Sequence, residues 1–165
     1  MSAIFYASST GNTAEVSNKI SDKLGGIPVI DIADDGLSKI NDFNKIILGN
    51  STWGEGELQD DWDELWKEFS DLDFSGKTIA LFGLGDQDGY PDNYVDAMGI
   101  IYEKVISKGG KIVGQWEIDN DYFFEESTAI VDDMFVGLAL DEDTQDELTD
   151  DRIEKWCEQI KADIL

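Results

Sequence analysis

The sequence predicts a three-layer α/β fold, a parallel sheet with helices on both faces. Short apolar runs recur along the chain, and segments with apolar residues three and four apart lie between them. The two kinds of segment alternate, which calls for parallel strands joined by right-handed crossovers.

In chain order, Ala3 to Ala7 reads as the first strand, and Val16, Ile20 and Leu24 mark a helix ended by Gly25-Gly26. Val29 to Ile32 and Lys45 to Gly49 read as strands; Leu58, Trp62, Leu65 and Phe69 mark the next helix. Gly76-Lys77 leads into the strand Thr78 to Phe82, several of these runs being apolar enough for burial on both faces. Val95, Met98, Tyr102, Val105 and Ile106 give a helix stopped at Gly109-Gly110, and Lys111 to Gln115 a strand. A helix is due next, yet Glu117 to Met134 is acidic and aromatic, an excursion interrupting the last strand before Phe135 to Leu140. Ile153, Trp156, Ile160 and Ile164 then form a final helix, which Asp150 or Thr149 can cap.

With 165 residues, 41% of them hydrophobic, the chain is expected to form one domain spanning 1–165. Twelve basic against 37 acidic residues leave a net charge of −25, which repels nucleic acid and anionic membranes and favours basic partners. No histidine and one cysteine leave neither the usual general base nor a thiolate metal site, so catalysis by side chains is not expected. Cys157, inside the amphipathic run Arg152 to Ile164, is expected to be a half-buried, inert thiol. Without an apolar run of membrane length or a leader at the N-terminus, the expectation is a soluble, unprocessed, cytoplasmic protein.

Ligands of such sheets lie beyond the carboxyl ends of the strands, so the loops there carry the functional evidence. The stretch "SSTGNT" after the first strand offers the hydroxyls of Ser8, Ser9, Thr10 and Thr13, the Asn12 amide, a flexible Gly11 and the free N–H groups of an opening helix. That describes a cradle for a phosphate dianion, although a serine-rich N-cap loop would look similar. A Walker A loop is excluded: the one Gly-Lys-Thr, at Gly76 to Thr78, leads into a strand. The glycines at 83, 85 and 89 also miss the dinucleotide spacing. In "NSTWGEGE" and "GLGDQDGYPDNY", Trp53 and Tyr90 sit among glycines, two rings able to sandwich a planar ligand.

With "FYASSTGNT", "STWGEGELQDDW", "GLGDQDGYPDNY" and "FVGLALDEDTQDELTDDRI" in this order, essentially the whole chain resembles the flavodoxins. The excursion from Glu117 to Met134 is similar to the insertion of the long-chain branch. The resemblance implies a flavodoxin-like, doubly wound five-stranded parallel sheet whose last strand is split by the insertion. It also implies non-covalent FMN, with the phosphate on Ser8 to Thr13 and the isoalloxazine between Trp53 and Tyr90. Thr52, Gly54, Glu55, Gly85, Asp86, Asn93 and Asp143 fall at positions that contact the ring or ribityl chain. Residues 54 and 55 read Gly-Glu where long-chain members often carry a bulkier pair, and glycine tolerates both orientations of that peptide.

The implied function is a low-potential, one-electron carrier shuttling between semiquinone and hydroquinone, a monomer and not an enzyme. Carboxylates such as Glu55, Glu57, Asp86 and Asp88 would disfavour the anionic reduced state. The acidic runs Asp60-Asp61, Asp141-Glu142-Asp143 and Asp146-Glu147 would steer basic-surfaced redox partners, an NADPH-dependent reductase among them, and low-potential acceptors. The alternative is an FMN-dependent quinone or flavin reductase, for which no nicotinamide motif is visible. An EF-hand starting at Asp141 fails, since Asp146 and Arg152 stand where glycine and glutamate belong.

Overall fold

The computed structural model describes residues 1–165. Apolar runs become strands here because both faces of the sheet are covered, so residues one apart along a strand enter opposite cores. In β1 (Ser2–Tyr6), Ala3 and Phe5 join one core while Ile4 joins the other. The same division separates Ile46 and Leu48 from Ile47 in β3 (Lys45–Trp53), and Ile79 and Leu81 from Ala80 and Phe82 in β5 (Thr78–Leu84). Helices α1 (Asn12–Lys23) and α6 (Asp146–Ile164) cover one face, and α5 (Asp96–Ser107) lies on the other with Trp62, Phe69 and Phe74.

The parallel sheet has five positions. β2 (Val29–Asp31), β1, β3 and β5 follow in that spatial order, and two segments share the fifth position. β6 (Lys111–Val113) pairs with Thr78 to Ala80, and β10 (Leu138–Leu140) with Phe82 to Leu84. The expected split of the last strand is therefore seen directly, with residues 114–137 leaving the sheet between the two halves. Winding reverses between β1 and β3, which opens a crevice at their carboxyl ends.

The excursion has its own antiparallel sheet of β7 (Trp116–Glu117), β9 (Met134–Phe135) and β8 (Ile130–Val131). Asp132 and Asp133, both at positive φ (54° and 64°), turn β8 into β9 in the manner of a tight hairpin. Rings of Tyr94, Tyr122, Phe124 and Phe135 pack with centroids 5.0–6.4 Å apart and bury the excursion against the core. The Tyr122 hydroxyl donates to Ala139 O (2.6 Å) and accepts from Trp116 Nε1 (2.9 Å). Gly137 re-enters the sheet so close to β5 that a Cβ there would lie 2.1 Å from Leu81 O.

Several boundaries differ from the sequence expectations. Ile32 opens a short helix, α2 (Ile32–Asp35), capped by the Asp31 carboxylate on Ala33 N. Leu58 belongs to β4 (Glu57–Leu58), which folds back antiparallel on β3. The helix expected around it is two, α3 (Asp60–Glu64) and α4 (Trp66–Ser70), meeting at Leu65; within α4 the Trp66 ring stacks on Phe69 at 5.4 Å. The expected run Phe135 to Leu140 is two strands in different sheets. Neither Asp150 nor Thr149 caps α6, which begins earlier, and the Thr149 hydroxyl donates to Glu142 instead. Cys157 is fully buried, more than expected, and burial pushes its thiol up to about 12. No helix is long and apolar enough to cross a membrane.

Candidate functional site

The loop from β1 into α1 is shaped by its own hydroxyls. Ser8 Oγ accepts the Gly11 N–H (3.0 Å), and Ser9 Oγ accepts from Gln59 Nε2 (2.9 Å). Gln59 is buried, and its carbonyl oxygen caps α3 through the N–H groups of Asp61 and Trp62. Gly11 stands at φ 95°, ψ −12°, which turns the backbone so that α1 opens toward the crevice. The N–H groups of Ser9, Thr10, Asn12 and Thr13 donate to no protein acceptor. Four neighbouring donors without a protein acceptor at a helix start form an anion cradle made of backbone and hydroxyls.

The second loop follows β3. Thr52 Oγ1 accepts the Ala97 N–H (3.0 Å) at the start of α5, and Trp53 Nε1 donates to Ser51 Oγ (2.9 Å). Residues 54–56 make the turn into β4, with Gly54 and Gly56 at positive φ. In the third loop the Asp86 carboxylate accepts from Asp88 N (3.1 Å) and Gly89 N (2.8 Å), a turn that raises Tyr90 to the rim. Asn93 lies behind, its N–H on Tyr90 O (3.2 Å) and its amide on Asp96 (3.1 Å).

These loops enclose a cavity of about 320 Å³ with no lysine or arginine in its wall. Of the residues singled out in the sequence, Ser9, Thr10, Asn12 and Thr13 form one end of the wall and Thr52, Trp53 and Gly54 one side. Gly85, Asp86, Tyr90 and Asp143 complete it. Ser8 and Gly11 shape the loop without lining the cavity, Glu55 points into solvent at the hairpin tip, and Asn93 braces the third loop. The wall also takes Ser51 and Leu84, which the sequence does not single out, and Glu142, which it assigns only to a partner-steering acidic run. Gln59 stands outside that reading too, since glutamine is not one of the side chains that mark a helix start.

The Trp53 and Tyr90 rings are 41% and 45% exposed, large apolar surfaces left open on the walls of one cavity. Burial, then Asp86 and Asp141, raise the Asp143 carboxyl above the usual range; burial also raises Glu142. The cavity is therefore an acidic pocket with a neutral, donor-rich end. It suits a planar aromatic group carrying a phosphate: the dianion has four free amides, and the rings have faces to cover.

The family model described as Flavodoxin matches residues 4–156. The chain is 48% identical over 161 residues to a flavodoxin of Picosynechococcus sp., covering 96% of this chain and 94% of that protein. It is 45% identical over 159 residues to a Helicobacter pylori flavodoxin, covering 96% and 95%. The crystal structure of Fusobacterium nucleatum flavodoxin bound to flavin mononucleotide superposes with a TM-score of 0.90 at 34% identity, covering 99% of this chain and 98% of that one.

Proposed function

The chain belongs to the flavodoxin family, and on that premise we propose that residues 1–165 form one FMN-binding domain whose cavity between the three rim loops holds the cofactor. It is an FMN-dependent electron carrier rather than an enzyme. One observation carries the site assignment: four residues whose amides have no protein acceptor and two half-exposed rings line the same cavity.

FMN, when bound, accepts and returns electrons one at a time. The protein's residues bind it, exclude water and set the cost of added charge. The amides and hydroxyls of Ser9, Thr10, Asn12 and Thr13 would hold the phosphate, with Ser8 and Gly11 fixing the loop. Trp53 and Tyr90 would flank the ring, each stacking pair adding about 0.5–1.5 kcal/mol beyond area burial. Thr52, Gly54, Glu55, Gly85, Asp86, Asn93 and Asp143 are assigned to the surroundings of the ring and ribityl chain. Gly54, at positive φ, tolerates either orientation of its peptide at low cost, so its carbonyl would be free to turn toward the bound ring.

Asp86, Glu142 and Asp143 oppose any further negative charge in the cavity. One carboxylate about 10 Å from such a charge, at an effective dielectric constant of roughly 40, costs about 0.8 kcal/mol, or about 35 mV for one electron. Several together lower the second one-electron potential by about 100 mV, and an uncharged phosphate end leaves that shift unopposed. The carrier therefore works at low potential. Its partners are redox proteins with basic surfaces, an NADPH-dependent reductase among them, met as a monomer in the cytoplasm. Charge supports this, since −25 on 165 residues steers a basic surface and repels an acidic one.

Titrating the FMN-loaded protein with dithionite under a redox dye tests the reading. Two separated one-electron steps, the second well below that of free FMN, are expected. Uptake of two electrons in a single step, or rapid bleaching of the flavin by NADPH alone, overturns it.

A further inference from the structure

Residues 121–128 of the excursion run beside residues 87–96 of the third rim loop and supply most of that loop's anchors. The N–H groups of Glu125 and Glu126 donate to Pro91 O (2.8 and 2.9 Å), and Tyr94 N donates to Glu126 O (3.2 Å). Ser127 Oγ donates to Tyr94 O (2.5 Å), and Thr128 N to Asp96 Oδ1 (2.7 Å). Between these anchors Val95 is held at φ 49°, ψ 28°, a left-handed conformation that a β-branched residue keeps only when its surroundings fix it.

Gln87 is the centre of this contact. It is 1% exposed, and its side-chain amide uses its full capacity. Oε1 accepts from Phe123 N (2.8 Å) and Phe124 N (3.3 Å) in the excursion. Nε2 donates to Asp141 Oδ2 and Gln145 Oε1, both at 3.0 Å, beyond the carboxyl end of β10. The amide's orientation is unambiguous, because two donors face its oxygen and two acceptors its nitrogen. Its backbone N–H also reaches Asp141 Oδ2 (3.0 Å), and Gln145 Nε2 returns to Asp121 O (2.5 Å). One residue from Gln87 is Asp86 and three away is Tyr90, both in the cavity wall, whereas Gln87 itself is not.

We propose that Gln87 is the positioning residue of the cofactor site: it clamps the excursion to the strand-end loop at Asp141 and so preorganises the loop that carries Asp86 and Tyr90. The proposal rests on the FMN reading above and gives the excursion a task within it. Coupling of this kind is reciprocal, so bound FMN must stabilise residues 121–128, which do not touch the cavity.

The test uses the full chain, with Gln87→Met, which keeps side-chain length and removes every hydrogen bond of the amide, and Gln87→Glu, which keeps the acceptor and removes the donors. FMN dissociation constants, the visible circular dichroism of the bound flavin and amide hydrogen exchange are the readouts. In the unmodified protein, adding FMN is expected to slow exchange at Phe123 and Phe124 at least tenfold. Gln87→Met is expected to abolish that slowing, raise the FMN dissociation constant tenfold or more and alter the flavin dichroism; Gln87→Glu, which sets a carboxylate against that of buried Asp141, is expected to do so at least as strongly. Unchanged affinity and dichroism in Gln87→Met refute the clamp, as does exchange at 121–128 that ignores FMN in the unmodified protein, a comparison that decides alone if the variant does not fold. Failure of the unmodified protein to take up FMN instead overturns the cofactor assignment, and the clamp with it.

Discussion

Replacing Gly11 by alanine isolates the backbone strain of the first loop. At φ 95° and ψ −12° an added Cβ meets nothing within 4 Å, so no packing change accompanies the substitution. What remains is the left-handed conformation, which costs an L-residue about 1–2 kcal/mol. If the loop stays rigid, that cost appears as lower stability of the FMN-free protein. If the loop relaxes when empty, the cost is postponed to binding, and FMN affinity falls by roughly 5–30-fold. The two losses therefore sum to about 1–2 kcal/mol however they divide. Urea unfolding of the FMN-free protein and a fluorescence titration with FMN measure the two parts. Gly25→Ala is the matched control: φ is 82°, nothing lies within 4 Å, and the residue ends α1 away from the cavity. It should show the whole cost in stability and none in affinity. A summed loss below about 0.5 kcal/mol for Gly11→Ala, or equal weakening of FMN binding by Gly25→Ala, would refute the view that this backbone shape exists to hold the ligand.

Tyr122→Phe leaves Ala139 O and Trp116 Nε1 without their partner, and about 2 kcal/mol of stability should go with it; a melting temperature lowered by about 4–8 °C is the check. Gly137→Ala drives a Cβ to 2.1 Å from Leu81 O and 2.7 Å from Leu81 C, backbone atoms in mid-sheet that cannot turn aside. A loss of about 3 kcal/mol, or failure to accumulate folded protein, is expected, and urea unfolding reads it. The pH dependence follows from Glu142 and Asp143, whose carboxyls are raised chiefly by burial. The folded chain holds these protons more tightly than the unfolded one, so their contribution is full below the ordinary carboxylate range near about 4 and is lost as pH rises through the raised values. Self-repulsion at −25 acts in the same direction. From about pH 4 upward, stability should fall as the two carboxyls ionise, and Glu142→Gln with Asp143→Asn should flatten that slope; melting temperatures across the carboxylate range are the check.

How far the fold can be read in the sequence depends on whether a residue's surroundings are periodic. Ala3 to Ala7 or Thr78 to Phe82 face a core on both sides over most of their length, so the pattern of apolar residues reports the environment directly. Ile32 and Leu58 carry the same apolar signal but enter a four-residue helix and a two-residue strand, too short for any period to declare itself. The break at Leu65 is equally silent, because the 3.6-residue spacing of Trp62, Leu65 and Phe69 continues across it.

The same reasoning separates the legible part of the site from the rest. Ser9, Thr10, Asn12 and Thr13 are contiguous, and the loop chemistry of hydroxyls, glycine and a helix start is written in one stretch. Trp53 and Tyr90 announce themselves because large rings beside glycines have no local use. Gln59 and Gln87 carry no such mark. Gln59 meets Ser9 across 50 positions and Gln87 meets Asp141 across 54, through single side-chain bonds rather than a repeated pattern. The excursion's role is hidden for that reason: Phe123 and Phe124 dock through their backbone N–H groups, which every residue but proline possesses. Residue identity alone can declare which groups meet a ligand; the groups that hold them still are specified by fold geometry.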